Sequence, residues 1–531
     1  MADAGREWWE FMQFTASAYD SEFSISFPNI ASHNHFVLTR GREVFSAHSP
    51  VIKLPEGAVE RDYTDLLGFL NSSTVCFWYK QVSQKRGGDA DIPWMRTYEY
   101  TGAALQDLPV PLGFERANGE TLDRLARLVD ESTPAITVQK GLGVESGLQE
   151  LLRNARVTWE KALRRLCFAQ EEADWSVYCA FGLVDEGLTY QNGDLAGVAG
   201  GERAFEIALA RKVRAGEADS AWFERNALSP VCDLPPEWPN DYREVVQKRL
   251  DIIESDQRIR LLERPEYKRR WATVPWARQL KDALESAILD RLEDPKLWRD
   301  VQGPTARSVA QLADLLRGDR ALLELGRALT DSGEPDLALI VERLVLGEAV
   351  PYLAAYRYKS SGLERFREWQ SVWELQRRED AGETVEIPVP STYATSDFQR
   401  VEYWRARGKF DVPKERFVLY PGVGREGDTS PVLGWAGWNH RDQAVALVRE
   451  ILTQQSFGAS DGALVPMVAG LVELEPWLHQ WHTDLEPEFG SSAAQAVTSQ
   501  IDQLLAQLQM TRDDVNAWRP PAATRGRPRR A

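Results

Sequence analysis

The stretch Tyr63–Gln81, YTDLLGFLNSSTVCFWYKQ, limits the possible folds more tightly than any other. Leu66, Leu67, Leu70, Thr74, Phe77, Trp78 and Gln81 recur at intervals of three and four residues, the spacing of one helix face. The polar triplet Asn71-Ser72-Ser73 interrupts that face, so the pattern predicts helix, pivot, helix. Either Ser72 or Ser73 can open the second helix by accepting a hydrogen bond from its first free N–H groups. Beyond Lys80 the composition turns to QKRGGDAD, polar, Gly-containing and locally basic, which predicts a projecting loop on a rigid helical pair. That is a sensible way to present something to a polyanion.

The rest of the chain reads as an α+β protein that is mostly α-helical. Its 531 residues are expected to hold roughly three domains at about 150 residues each. Residues 1–115 form a small mixed domain: SISF, HFVL and VIKL are strand-like runs closed by Pro28, Gly41 and Pro55, and the helical pair follows. Trp94, Arg96, Tyr98 and Tyr100 then alternate as a strand, with aromatic and basic side chains on one face. Residues 116–380 read as helical, with stripes such as Val246, Leu250, Ile253 and Val309, Leu312, Leu315, Leu316. A mixed α/β domain spans 383–518, with VEIPVP extended, RFVLY (416–420) a strand, and helices at Gln443–Gln454 and Ser492–Leu508. The tail 519–531, RPPAATRGRPRRA, is too poor in apolar residues to fold alone.

Composition excludes several classes. No run approaches the ~18 apolar residues of a membrane span, and MADAGREWWEF has no signal-peptide core, so a cytoplasmic protein is expected. A formal net charge of −17 argues against a DNA-binding surface spread over the whole chain, because neutralising phosphates needs clustered Lys and Arg. Nucleic-acid contact must then be local. Cys76, Cys167, Cys179 and Cys232 show no CxxC spacing and read as thiols, buried rather than paired or zinc-bound. His33, His35 and His48, and His479 with His482, lack companions at ligand spacing, so no metal is expected.

Three motifs carry chemistry. Lys80, Lys85, Arg86, Trp94 and Arg96 combine point charges with an aromatic face, the mixture that suits phosphate contact plus base-edge or stacking contact; a solvated loop is the bland alternative. Gly422-Val423-Gly424-Arg425-Glu426-Gly427 is a GxGxxG directly after a strand, but Asp428-Thr429-Ser430-Pro431 follows where a phosphate-binding helix is required, so it reads as a structural loop. The terminal string containing Arg525, Arg527, Arg529 and Arg530 resembles the AT-hook core, which lies extended along a narrow A·T minor groove; a plain basic tail is the other reading.

The blocks SHNHFVLTRGREVFSAHSPVIKLPEG and LLGFLNSSTVCFWYKQ resemble the target-recognition region of the PglX family, adenine-specific DNA methyltransferases of BREX phage-defence systems. RPEYKRRWATVPW (264–276), YKSSGLERFREWQSVWELQRREDAG (358–382) and SDFQRVEYWRARGKFDVPKERFVLYPG (396–422) resemble the same family's carboxy-terminal half. The resemblance implies that 1–115 is a target-recognition domain and that the family's catalytic domain is not in this chain. An amino-methyltransferase extrudes its adenine from the duplex and holds it at an Asn/Asp-Pro-Pro-aromatic turn. Here the only Pro-Pro strings are Leu234-Pro235-Pro236-Glu237 and Arg519-Pro520-Pro521-Ala522, which lack both acceptor and ring. No catalytic or cofactor residues are therefore assigned, and S-adenosylmethionine is expected in the missing catalytic portion. The implied partners are double-stranded DNA, that catalytic portion if the gene is split, and other BREX components. A free-standing, non-catalytic DNA-binding or scaffold protein of the defence system is the alternative.

Overall fold

The computed structural model describes residues 21–521 except 42, 47, 90, 143–146, 191, 193–196, 408–413 and 488. Arg525, Arg527 and Arg529 lie outside the described residues. The fold is α+β and mostly helical. Two compact units are present, one from residues 1–141 and 149–280, the other chiefly from 281–531. The segment that reads as one helical stretch, 116–380, contributes helices to both.

The first unit begins with short strands β1 (Phe23–Ser26), β2 (Ile30–Ala31), β3 (Val37–Arg40) and β4 (Val51–Ile52). β1 lies between β3 and β4, antiparallel to both, with Ile25 opposite Leu38 and Ile52. The helical pair forms as α1 (Glu60–Leu70) and α2 (Ser73–Val82). Of the two candidate caps Ser72 serves, its Oγ accepting from the Val75 N–H at 3.3 Å. QKRGGDAD does not project as a loop. Its first residues are β5 (Gln84–Gly87), paired with β6 (Thr97–Glu99), and β2 completes a three-stranded sheet in the order β2-β6-β5. The return strand supplies the backbone partners that a loop would have to find in water. Gly88 makes the turn possible, at φ 79° and so close to the Met95 carbonyl that any Cβ would overlap it.

Helices α3 (Gly102–Gln106), α4 (Gly119–Glu131), α5 (Pro134–Gly141) and the 33-residue α6 (Leu148–Ala180) follow, then α7 (Ala204–Ala215), α8 (Ala221–Arg225), α9 (Asn240–Ser255) and α10 (Gln257–Leu262). Phe27, Phe36, Tyr79 and Tyr100 form the aromatic centre, joined by Trp159 and Leu166 of α6. The stripe Val246, Leu250, Ile253 is buried on α9 as its period predicts. α1 crosses α4 at Gly68 and Gly119, and the backbones meet there: a Cβ at Gly119 would overlap the Thr64 carbonyl.

The second unit takes up the chain within α11 (Trp276–Leu292). It continues through β7 (Arg299–Asp300), β8 (Gly303–Pro304), β9 (Arg307–Ser308), α12 (Val309–Leu316), α13 (Arg320–Thr330), α14 (Leu337–Glu348), β10 (Ala349–Pro351), α15 (Ala354–Arg357), α16 (Ser360–Asp380) and α17 (Val401–Arg407). RFVLY becomes β11 (Phe417–Leu419), followed by β12 (Val432–Trp435), α18 (His440–Ser456), α19 (Asp461–Trp481), β13 (Leu485–Glu486), β14 (Ser491–Ser492), α20 (Ala493–Leu508) and α21 (Arg512–Asn516). One sheet runs β10-β11-β12-β9, with β10 parallel to β11. Leu447, Ile451, Val468, Leu471 and Ile501 of α18, α19 and α20 fill the core. VEIPVP forms no strand.

Gly119→Ala is expected to lower unfolding stability by at least about 2 kcal/mol, because a methyl group forced against backbone cannot repack cheaply. Urea denaturation checks this. Ala at Gly318, where a Cβ meets nothing within 4 Å, serves as the neutral control.

Candidate nucleic-acid interface

The sheet β2-β6-β5 carries two of the predicted DNA-contacting residues and adjoins a third. Lys85 and Arg86 are exposed on β5, and Arg96 directly precedes β6. Lys85 stands opposite Tyr98 in the ladder. The Arg86 Nε–H donates to Glu99 Oε2 at 2.6 Å, an exposed pair that a phosphate can replace at little cost.

Two other predicted residues face inward. Lys80 is buried, its Nζ donating to the Glu266 carbonyl at 2.5 Å and sitting 5.3 Å from the Tyr98 ring centre and 5.5 Å from that of Tyr267. Burial holds its pKa below the ordinary lysine value. Trp94 is partly buried and meets Trp222 edge to face at 5.7 Å. The structure therefore leaves Lys85 and Arg86 exposed on β5, with Arg96 half-exposed just before β6, and turns Lys80 and Trp94 inward.

What holds that sheet in place is a strap that sequence reasoning left without a role, Lys268-Arg269-Arg270-Trp271. Lys268 is buried between Asp174 of α6, at 2.9 Å, and Glu263. Asp174 also accepts from the Ser73 N–H and from the Ser73 hydroxyl, both at 2.7 Å, which locks the pivot of the helical pair. The Tyr178 hydroxyl donates to Glu263 at 2.7 Å, and burial lifts that carboxyl to about 7. Arg269 donates to the Ser32 hydroxyl and, at 3.1 Å, to the Trp94 carbonyl. Arg270 donates to the Asn34 carbonyl at 2.5 Å and to Asn71 Oδ1. Arg203, buried and paired with Glu206 at 2.6 Å, donates to the carbonyls of Lys268 and Arg270 at 3.2 and 2.9 Å. The sequence signal was available: three consecutive cations in RPEYKRRWATVPW are flanked by Tyr267 and Trp271, an unusual setting for a solvated run.

The family described as a domain of unknown function, DUF7008, matches residues 166–529. The chain belongs to the DUF7008 family. It is also 42% identical, over 98% of its length, to "Adenine-specific methyltransferase PglX" of Streptomyces coelicolor (strain ATCC BAA-471 / A3(2) / M145). It spans only 44% of that relative. No solved structure matches.

Elsewhere in this DUF7008 chain the remaining motifs have local explanations. The GxGxxG loop joins the antiparallel strands β11 and β12, so the chain runs on into a strand where a phosphate-binding loop would continue as a helix. Its Arg425 is committed to a bidentate pair with Glu450 at 2.6 and 2.7 Å. The His479 ring bonds the Thr498 hydroxyl at 3.0 Å and His33 the Ser32 hydroxyl at 3.2 Å. Among the described residues no three His, Cys, Asp or Glu side chains gather as a metal site, and no helix is long and apolar enough to cross a membrane. All four cysteines are free thiols, with Cys76 and Cys167 buried.

Two measurements check the strap. Asp174→Ala leaves Lys268 with one carboxylate fewer and Ser73 with two unmet donors, and is expected to cost about 3–5 kcal/mol in urea unfolding. Acid sensitivity checks the histidines beside Arg270. Desolvation, reinforced by Arg270, lowers His35 to about 4, so between pH 4 and 6.5 the unfolded chain binds more protons than the folded one. Stability therefore falls as pH drops through that window, and His35→Gln should flatten the slope of unfolding free energy against pH there.

Proposed function

We propose that this chain is the DNA-recognition and carboxy-terminal part of a PglX-like adenine-specific DNA methyltransferase of a BREX phage-defence system. The observation that carries this reading is the identity to the Streptomyces relative, which runs through 98% of the chain while covering under half of that protein. The Asn/Asp-Pro-Pro-aromatic turn that would hold a flipped adenine does not occur in this sequence. Methyl transfer and the S-adenosylmethionine site then fall to a separate catalytic portion. This chain's task is to bring double-stranded DNA to that portion and to contact other defence components in the cytoplasm.

Lys85, Arg86 and Arg96 are the proposed phosphate contacts, presented on and beside the sheet β2-β6-β5, with Lys80 and Trp94 turned inward. The chain's net charge of −17 keeps such contact local. Arg525, Arg527 and Arg529 add a tethered minor-groove contact, which discriminates A·T from G·C and little else. Tethering makes even a weak second contact useful, because it becomes intramolecular.

Replacing Lys85, Arg86 and Arg96 together by Ala should weaken duplex binding and flatten its salt dependence, since each lost phosphate contact removes roughly 0.9 from the log–log slope. Fluorescence anisotropy of labelled duplex over a salt series measures both. An unchanged affinity and slope would move the interface elsewhere. Deleting residues 524–531 should lower affinity further and reduce the preference for A·T-rich flanks in competition binding.

A further inference from the structure

Beside the strap lies a half-open cavity of about 480 Å3, walled by β3, α1, α4 and α6. Its volume falls in the range of small-molecule sites, roughly 300–1,000 Å3. Trp159, Trp271 and Phe36 give it flat apolar walls. Arg270 supplies the charge, buried at 7% exposure and lining the same space.

Two observations set this cavity apart from an ordinary packing gap. The first is Arg270. No carboxylate pairs with its guanidinium among the described residues, and its Nε–H has no partner, although the Nη2 group is spent on Asn34 and Asn71. An unsatisfied donor on a buried cation is costly. Burial depresses the group only to about 10, so it remains a cation at neutral pH. The second is Trp271, whose φ of 68° places a bulky side chain in the left-handed region. Such a conformation is an outlier for this residue type and persists only where surroundings over-determine it, as at ligand clamps. Here the Trp271 Nε1–H is held by Gln170 Oε1 at 3.2 Å, and the Arg270 guanidinium lies 5.7 Å from the Trp271 ring centre.

The rim decides what kind of acceptor fits. Asp123 is held by Arg40 at 2.6 Å and by Arg127 at 3.2 Å, and Asp130 stands exposed at the edge. His35 is neutral at pH 7 and adds no second cation. Asp123 is thus neutralised by two arginines, and one buried guanidinium behind a rim of balanced charge suits a neutral carbonyl better than a multiply charged phosphate. Flat aromatic walls suit a planar ring, which they hold by stacking whatever its sequence context.

We propose that this cavity binds a planar, oxo-substituted heterocycle of the guanine class, with its ring between the aromatic walls and its carbonyl edge on Arg270. A single guanidinium N–H matches the O6 acceptor of guanine, whereas adenine presents an amino donor at the same edge. The site is independent of the proposed DNA surface, and its occupant is a free small molecule.

Calorimetric titration of the whole chain with guanosine and with adenosine, in the absence of DNA, tests this. Guanosine should bind, and adenosine at least about tenfold more weakly, the margin of one charge-assisted contact. Arg270→Lys should erase that preference. Because Arg270 also braces Asn34 and Asn71, a second variant is needed: Val37→Trp, at a 46%-exposed position on the cavity wall, should fill the space and abolish guanosine binding while keeping the unfolding midpoint. The proposal is overturned if guanosine gives no binding up to roughly 1 mM, if both nucleosides bind equally, or if Val37→Trp leaves guanosine binding intact.

Discussion

The first unit depends on one buried charge cluster. Lys268 meets Asp174 and Glu263 with all three side chains almost fully out of water, so removing Lys268 strands two carboxylates, and removing Asp174 leaves the lysine to Glu263 alone. Because Asp174 also holds both donors of Ser73, the same carboxylate fixes the start of α2 and hence the direction in which that helix delivers β5. Arg269 and Arg270, next along the chain, reach the Ser32, Asn34 and Trp94 segment of the small sheets. A single short strap thus joins the long helix α6 to the part of the molecule that carries the exposed cations. Buried polar networks of this kind add little net stability over apolar packing, yet once formed they admit one arrangement only.

That division of labour explains why cations of similar sequence context end in opposite environments. Lys80 and Lys85 are five residues apart, yet one is sealed beneath Tyr98 and Tyr267 and the other faces solvent. Arg270 is unlike both, buried without a carboxylate and lining a cavity. Local charge density alone cannot separate these roles; the phase of the element that carries each side chain does.

The same phase shows how far the sequence could be read. The helix, pivot, helix pattern was legible because its apolar residues repeat within one element, and α1 and α2 form where the period puts them. The choice of Ser72 over Ser73 as cap was not, since it is made by Asp174, 101 residues away. Lys80 could have been placed: it lies four residues after Cys76 and seven after Ser73, on the buried side of α2. Gln84–Gly87 gave no strand signal because both faces are exposed and its order comes from pairing with β6. The division of the helical stretch near residue 280 was invisible because amphipathic helices advertise a buried face without naming its partner. In the second unit the GxGxxG loop was legible for a simple reason: no helix-forming sequence follows it.

The proposed reading makes the chain a recognition part for chemistry carried out by another polypeptide. The direct test is transfer of labelled methyl groups from S-adenosylmethionine to duplex DNA, by the purified chain alone and after mixing with the remaining portion of a PglX relative. The account predicts no transfer by the chain alone, and adenine methylation by the mixture at sites that change when this chain is exchanged for a homologue's. Methylation by the chain alone, or by the mixture at sites indifferent to which chain is present, would contradict it.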